Sequence, residues 1–67
     1  MVKVYKDTGR SSVYSVFRDG PVYVGCVYAV SPRQWASVLD AENNWLASVS
    51  GPDKIQFGAD VLDALTA

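Results

Sequence analysis

Pro21-Val22-Tyr23-Val24-Gly25-Cys26-Val27-Tyr28-Ala29-Val30, followed by Ser31-Pro32-Arg33-Gln34, is the stretch on which the fold turns. Val22, Val24, Cys26, Tyr28 and Val30 share one alternation, while Tyr23, Val27 and Ala29 share the other. A run that is apolar on both sides reads as a central strand, covered above and below. Directly after it, Ser31 can cap a helix, Pro32 suits the first helical position, and Gln34 stands where a capping box places its reciprocal side chain. The period is therefore expected to change from 2 to 3.6 here, with a first helix over residues 32–42. Trp35, Val38, Leu39 and Glu42 then fall at i, i+3, i+4 and i+7, Ala36 and Ala41 widen the apolar stripe, and Asn43-Asn44 closes it. A β-hairpin of residues 34–40 and 45–50 around Ala41-Glu42-Asn43-Asn44 is the alternative, and the Trp, Ser and Val content suits it. The cap signals favour the helix, because they have no purpose in a strand.

Outward from this junction the pattern is simpler. Residues 2–6 alternate apolar and charged, as in an edge strand whose lysines discourage unwanted pairing. Asp7-Thr8-Gly9-Arg10 supplies a turn, with Asp7 able to accept from the backbone ahead of it. Residues 12–18 form a second strand, and Asp19-Gly20 is a hairpin signal because the tight turn needs positive φ. Gly25 marks a bulge or a close approach, and Trp35 from the first helix is the ring expected to cover it. Residues 45–49 read as a fourth strand with Trp45, Ala47 and Val49 on one side. Residues 54–57 fit either a short strand or a lead into a helix, and residues 59–65 are helical, with Asp60 in the first turn. The expected fold is a single α+β domain over residues 1–67, with a small antiparallel sheet of three to four strands. Its order is β-β-β-α-β-α, with the helices packed on one face.

A chain of 67 residues has room for one thin core, and it lacks the usual staples. Cys26 is its single cysteine and it has no histidine, so neither an intrachain disulfide nor a Cys/His zinc site can form. Within an apolar strand such a thiol reads as a small buried hydrophobe. The net charge is −1, with Lys3, Lys6, Arg10 and Arg18 toward one end and Asp40, Glu42, Asp53, Asp60 and Asp63 toward the other. That is too sparse a basic set for a nucleic-acid patch. No uncharged run reads as a membrane helix, and the first residues lack a signal-peptide core, so a cytoplasmic location is expected.

Enzyme signatures are absent: there is no histidine base, no phosphate loop and no paired-cysteine spacing. The expectation is a non-enzyme without catalytic, cofactor or metal residues, and Asp40, Glu42, Asp60 and Asp63 read as solvated surface. Aromatics are the better clue. Tyr5, Tyr14, Phe17, Tyr23, Tyr28, Trp35, Trp45 and Phe57 exceed what one sheet face with two helices can cover. Tyr and Trp bury a large area at low entropic cost and keep a polar handle, which suits interfaces. Tyr14, Phe17, Tyr23, Val27 and Trp45 are therefore the expected protein-interface residues, with a second copy or another protein as partner. Base stacking by Tyr14, Phe17 and Tyr23 beside Arg18 and Lys3 would make a weak single-stranded nucleic-acid binder, an alternative that the negative charge disfavours.

Tyr14-Ser15-Val16-Phe17-Arg18-Asp19-Gly20, the Trp35-Ala36 pair and the closing Ala59-Asp60-Val61-Leu62-Asp63-Ala64-Leu65 give a chain that resembles small accessory proteins encoded by bacteriophages. The resemblance is one of format and implies no particular site residue. It implies a protein that binds a host component and blocks or redirects it, as anti-defence proteins such as anti-CRISPRs do. The alternative from the residues themselves is a structural homo-oligomer that uses its surplus apolar sheet face or a strand edge.

Overall fold

A computed structural model describes residues 2–9, 12–29 and 35–67 as five strands followed by one helix. The strands are β1 (Val2–Lys6), β2 (Val13–Arg18), β3 (Val22–Tyr28), β4 (Trp35–Asp40) and β5 (Trp45–Ser50), and the helix is α1 (Lys54–Leu65). They form one antiparallel sheet in the order β1-β2-β3-β4-β5, each strand paired with its sequence neighbours. This corrects the expected β-β-β-α-β-α order: there is one strand more and one helix fewer.

The difference lies in residues 35–40, which form β4 and not a helix. Period 2 serves this segment as well as period 3.6 does, since Ala36 and Val38 point to the core while Trp35, Ser37 and Leu39 point away. A short helix would need docking to survive, whereas β4 gains a ladder on both sides, from β3 and from β5. Asp40 then closes the hairpin. Its Oδ1 accepts from the amides of Glu42 and Asn44, both at 2.9 Å, and Asn43 takes a φ of 66° in the turn. The expected capping residues 31–34 lie outside the described residues.

The Asp19-Gly20 turn is formed as read, with φ of 49° and 95°. Gly25 lies within a bulge, because Val16 pairs with Gly25 while the next residue, Phe17, pairs with Tyr23, leaving Val24 as the extra residue. The expected Trp35 ring is not what comes closest to Gly25, and it stands largely exposed. A Cβ there would sit 2.1 Å from the Leu39 carbonyl oxygen, so it is the β4 backbone that approaches. A second bulge falls in β5, where Val38 pairs with Ala47 and Leu39 with Trp45, so that Leu46 is extra.

The helix begins at Lys54, which resolves residues 54–57 as its first turn and places Asp60 in its middle. It buries Gly58, Ala59 and Leu62 against the sheet. Small residues at this contact let the helix axis come close: a Cβ on Gly58 would lie 3.1 Å from both γ carbons of Val27. Leu62, Val16, Val27 and Val38 are the largest fully buried side chains. Removing a side chain of that size from water contributes about 1.5–3 kcal/mol. Arg18 reaches from the end of β2 to the last turn of α1 and anchors the helix at that end.

Candidate interaction surface

Residues paired across an antiparallel ladder share a face, and successive residues alternate, so the register assigns each strand residue to a side. The helix side holds Val4, Val16, Val24, Val27, Ala36, Val38, Ala47 and Val49, all packed in or against the core with Ala59 and Leu62. The opposite side, which we call the open face, holds Lys3 and Tyr5 from β1, Val13, Ser15 and Phe17 from β2, and Tyr23, Cys26 and Tyr28 from β3. β4 adds Trp35, Ser37 and Leu39, and β5 adds Trp45, Ser48 and Ser50. No helix among the described residues lies on this face.

The two bulges decide which aromatics it displays. Without the extra Val24, Tyr23 would share the side of Val27, and without the extra Leu46, Trp45 would share the side of Ala47 and Val49. Each bulge turns one aromatic residue away from the core. As a result, every aromatic residue of the chain except Tyr14 and Phe57 is on the open face. Trp35 is 60% exposed and Trp45 62%, at opposite ends of the β4–β5 hairpin, and Tyr5, Tyr23 and Tyr28 are also exposed.

Three of these rings are in contact at the β1–β3 end. Tyr5 meets Phe17 edge-on with centroids 5.7 Å apart, and Phe17 meets Tyr23 at 5.4 Å. Such contacts hold the rings in fixed orientations and contribute about 0.5–1.5 kcal/mol beyond their burial. Toward the middle of the sheet Val13, Cys26, Tyr28, Leu39 and Asn43 line a depression of about 190 Å³. Its Cys26 thiol is buried, as an apolar strand position implies. Asn43 is held at the rim by the Asp40 turn, in which its amide donates to the Asp40 carbonyl at 3.0 Å. The turn amides, that of Asn44 foremost and that of Glu42 after it, hold the Asp40 carboxyl below its ordinary 3.8 against the opposing effect of burial.

Of the expected interface residues, Phe17, Tyr23 and Trp45 come together on the open face. Val27 and Tyr14 do not. Val27 is fully buried beneath Gly58 of the helix, and Tyr14, its ladder partner, packs half-buried against the same core. Plain alternation groups Val27 with Tyr23, and the Val24 bulge separates them. Tyr5, Tyr28 and Trp35 join the surface although they were not among the expected interface residues. For Trp35 the missing signal was the strand itself, since a helix stripe would have turned its indole inward.

Lys3 is the only charged residue among the described strand residues of this face. The described residues contain no group of three or more His, Cys, Asp or Glu side chains placed to hold a metal ion. Their helix is also too short to cross a membrane. No family model, no curated protein and no solved structure matches this chain.

Proposed function

We propose that the protein is a small non-enzymatic binding module that holds another protein against the open face of its sheet. The observation that carries this reading is the sorting of aromatic residues. Tyr5, Phe17, Tyr23, Tyr28, Trp35 and Trp45 lie on the side opposite α1, and two bulges turn Tyr23 and Trp45 there. Large exposed apolar area on a chain this small favours a partner, and Tyr and Trp are the side chains that yield most on burial. Nucleic acid fits less well. Among the described strand residues Lys3 alone supplies positive charge on this face, and the Arg18 guanidinium is engaged by Asp63, so little counterion release from these residues would drive binding. A module of this kind would act by occupying its partner's surface, the mode that the resemblance to small phage accessory proteins implies.

The test is affinity capture with wild type, Tyr23→Ala, Trp45→Ala and, on the helix side, Phe57→Ala. A protein retained by wild type and Phe57→Ala but lost with Tyr23→Ala and Trp45→Ala supports the open face as the binding surface. Equal retention by all four removes it.

A further inference from the structure

The two edges of the sheet are built differently. β1 forms one edge and carries Lys3 and Lys6, both exposed. Lysines on an edge strand oppose pairing with another strand, because pairing would strip water from them. β5 forms the other edge, and its sequence Trp-Leu-Ala-Ser-Val-Ser contains no charge and no proline. It has a neighbour on one side only, β4, so alternate amides and carbonyls of β5 point away from the sheet. No turn or loop backbone hydrogen bond among the described residues reaches residues 45–50. Charge guards the β1 edge, whereas on β5 the only interruption is the Leu46 bulge, which leaves residues 47–50 as a regular uncharged edge.

We infer that β5 pairs antiparallel with β5 of a second copy of this chain, joining the two sheets into one continuous sheet. The backbone pairing uses an edge and, of the open face, would cover only the Trp35 and Trp45 indoles at its β5 margin, so Tyr23 on β3, away from that margin, tests the binding function separately. A strand edge presents a row of donors and acceptors, and the group that satisfies such a row is another strand. The second copy's β5 is a suitable occupant for three reasons. First, it is neutral, so pairing it with itself brings no like charges together. Second, residues paired across the new ladder must share a face, which requires a two-fold axis through a residue and not between two. An axis at Ser48 meets this over residues 47–49, with Ser48 opposite Ser48 and Ala47 opposite Val49, both core-side positions, and the Leu46 bulge ends the regular pairing beyond them. Third, the same axis carries Trp45 of each copy to within two strands of Trp35 of the other, about 10 Å at sheet spacing. Only the small side chain of Ser50 stands between them on the open face. Two indoles that are each about three-fifths exposed in one copy would then cover one another across the join. Pairing β5 with β1 of a second copy would instead be head-to-tail, would leave edges open at both ends and would desolvate Lys3 and Lys6.

The decisive measurement is amide hydrogen exchange of the wild-type chain over a dilution series, with mass by light scattering on the same samples. Expected is a dimer at high concentration in which alternate amides of β5 are protected, and those amides lose protection as the mass falls to that of one copy. The outward amides of β1 should exchange freely throughout. A single-copy mass at every concentration, or a dimer in which the outward β5 amides exchange freely, overturns the inference. Ser48 is exposed, so Ser48→Lys and Ser48→Glu should each fold while placing like charges opposite one another, raising the dimer dissociation constant by about tenfold or more. An equimolar mixture of the two variants should restore the dimer. If either variant fails to fold, the wild-type exchange pattern decides alone. Tyr23→Ala, which tests the binding face, should leave this dimer intact, so the two proposals fail separately.

Discussion

Arg18 Nε donates to Asp63 Oδ1 at 2.6 Å, tying the last residue of β2 to the last turn of α1. The same guanidinium donates from Nη2 to the Asp63 carbonyl at 2.9 Å and to Thr66 Oγ1 at 2.7 Å, and Thr66 Oγ1 in turn donates to the Leu62 carbonyl at 2.7 Å. Carbonyls at a helix C-terminus lack intrahelical donors, and a cation there also complements the helix dipole. The ion pair is partly exposed, so its Coulomb part is modest, and the hydrogen bonds to the helix end carry more. Arg18→Ala is expected to cost about 1–2 kcal/mol. That lowers the melting temperature by roughly 4–8 °C per kcal/mol in a domain of this size. Arg18→Lys should recover less than half of the loss, since one ammonium cannot reach Asp63 and Thr66 in the same planar fork. Melting curves for the three proteins check this, and a lysine variant as stable as wild type would show that the charge alone suffices.

Gly25 controls the bulge that sorts β3, and its place cannot be taken by another residue. Its φ of 146° is a conformation that side chains strain to adopt, and an added Cβ would stand 2.1 Å from the Leu39 carbonyl oxygen. Because that oxygen belongs to the backbone of β4, relief requires the strand to move. Gly25→Ala should therefore destabilise by more than about 3 kcal/mol. Denaturant unfolding measures it. A variant within about 1 kcal/mol of wild type would mean that the bulge is not formed as described.

Asp40 gives the β4–β5 turn a dependence on pH. Its carboxylate accepts from the Asn44 and Glu42 amides and, at 3.2 Å, from the Asn44 side-chain amide, and the folded value lies below the ordinary 3.8. A depressed folded value means that the unfolded chain binds the proton more readily. The stabilising contribution is therefore fully present well above 3.8 and is lost as the pH falls through the folded value. Asp40→Ala should melt below wild type at neutral pH, and the difference should shrink steadily below about pH 4. A difference that stays constant down to low pH would remove the carboxylate from the turn's stability.

Local chemistry made the strands β1, β2 and β3 and the Asp19-Gly20 turn legible, because alternation and turn residues act within a few positions. β5 was legible too, as a strand over residues 45–49, but β4 and its hairpin with β5 were visible only as the alternative. Residues 35–40 carry apolar side chains at spacings that satisfy both periods, and the capping pattern at residues 31–34 pointed to the helix. Pairing on two sides, a long-range property, decided it. The bulges at Val24 and Leu46 were harder still. Gly25 announced that something unusual happens in β3, but nothing adjacent says that Val24 is the extra residue, and no glycine marks Leu46. Val27 was assigned to the wrong face for that reason, while Tyr23 reached the open one. Arg18 was legible as a cation and not as an anchor, since its partner lies 45 residues away.

Trp35 and Trp45 are the only tryptophans, and both stand on the open face. The tryptophan fluorescence of this protein, excited selectively over its tyrosines, therefore reports on that face and on nothing in the core. In a single folded copy, two indoles about 60% exposed should emit close to the wavelength of the unfolded chain and remain accessible to a neutral quencher such as acrylamide. When a partner covers the face, or when a second copy brings Trp35 and Trp45 together, the emission should move to shorter wavelength and quenching should fall. The two causes separate by variant. Ser48→Lys should abolish a concentration-dependent shift, whereas Tyr23→Ala should abolish only a shift produced by a different protein. Trp35→Phe and Trp45→Phe assign the signal to one end of the hairpin or the other. Strongly blue-shifted emission from a dilute single copy would place an indole in the core, and that outcome would refute the assignment of faces from which both proposals start.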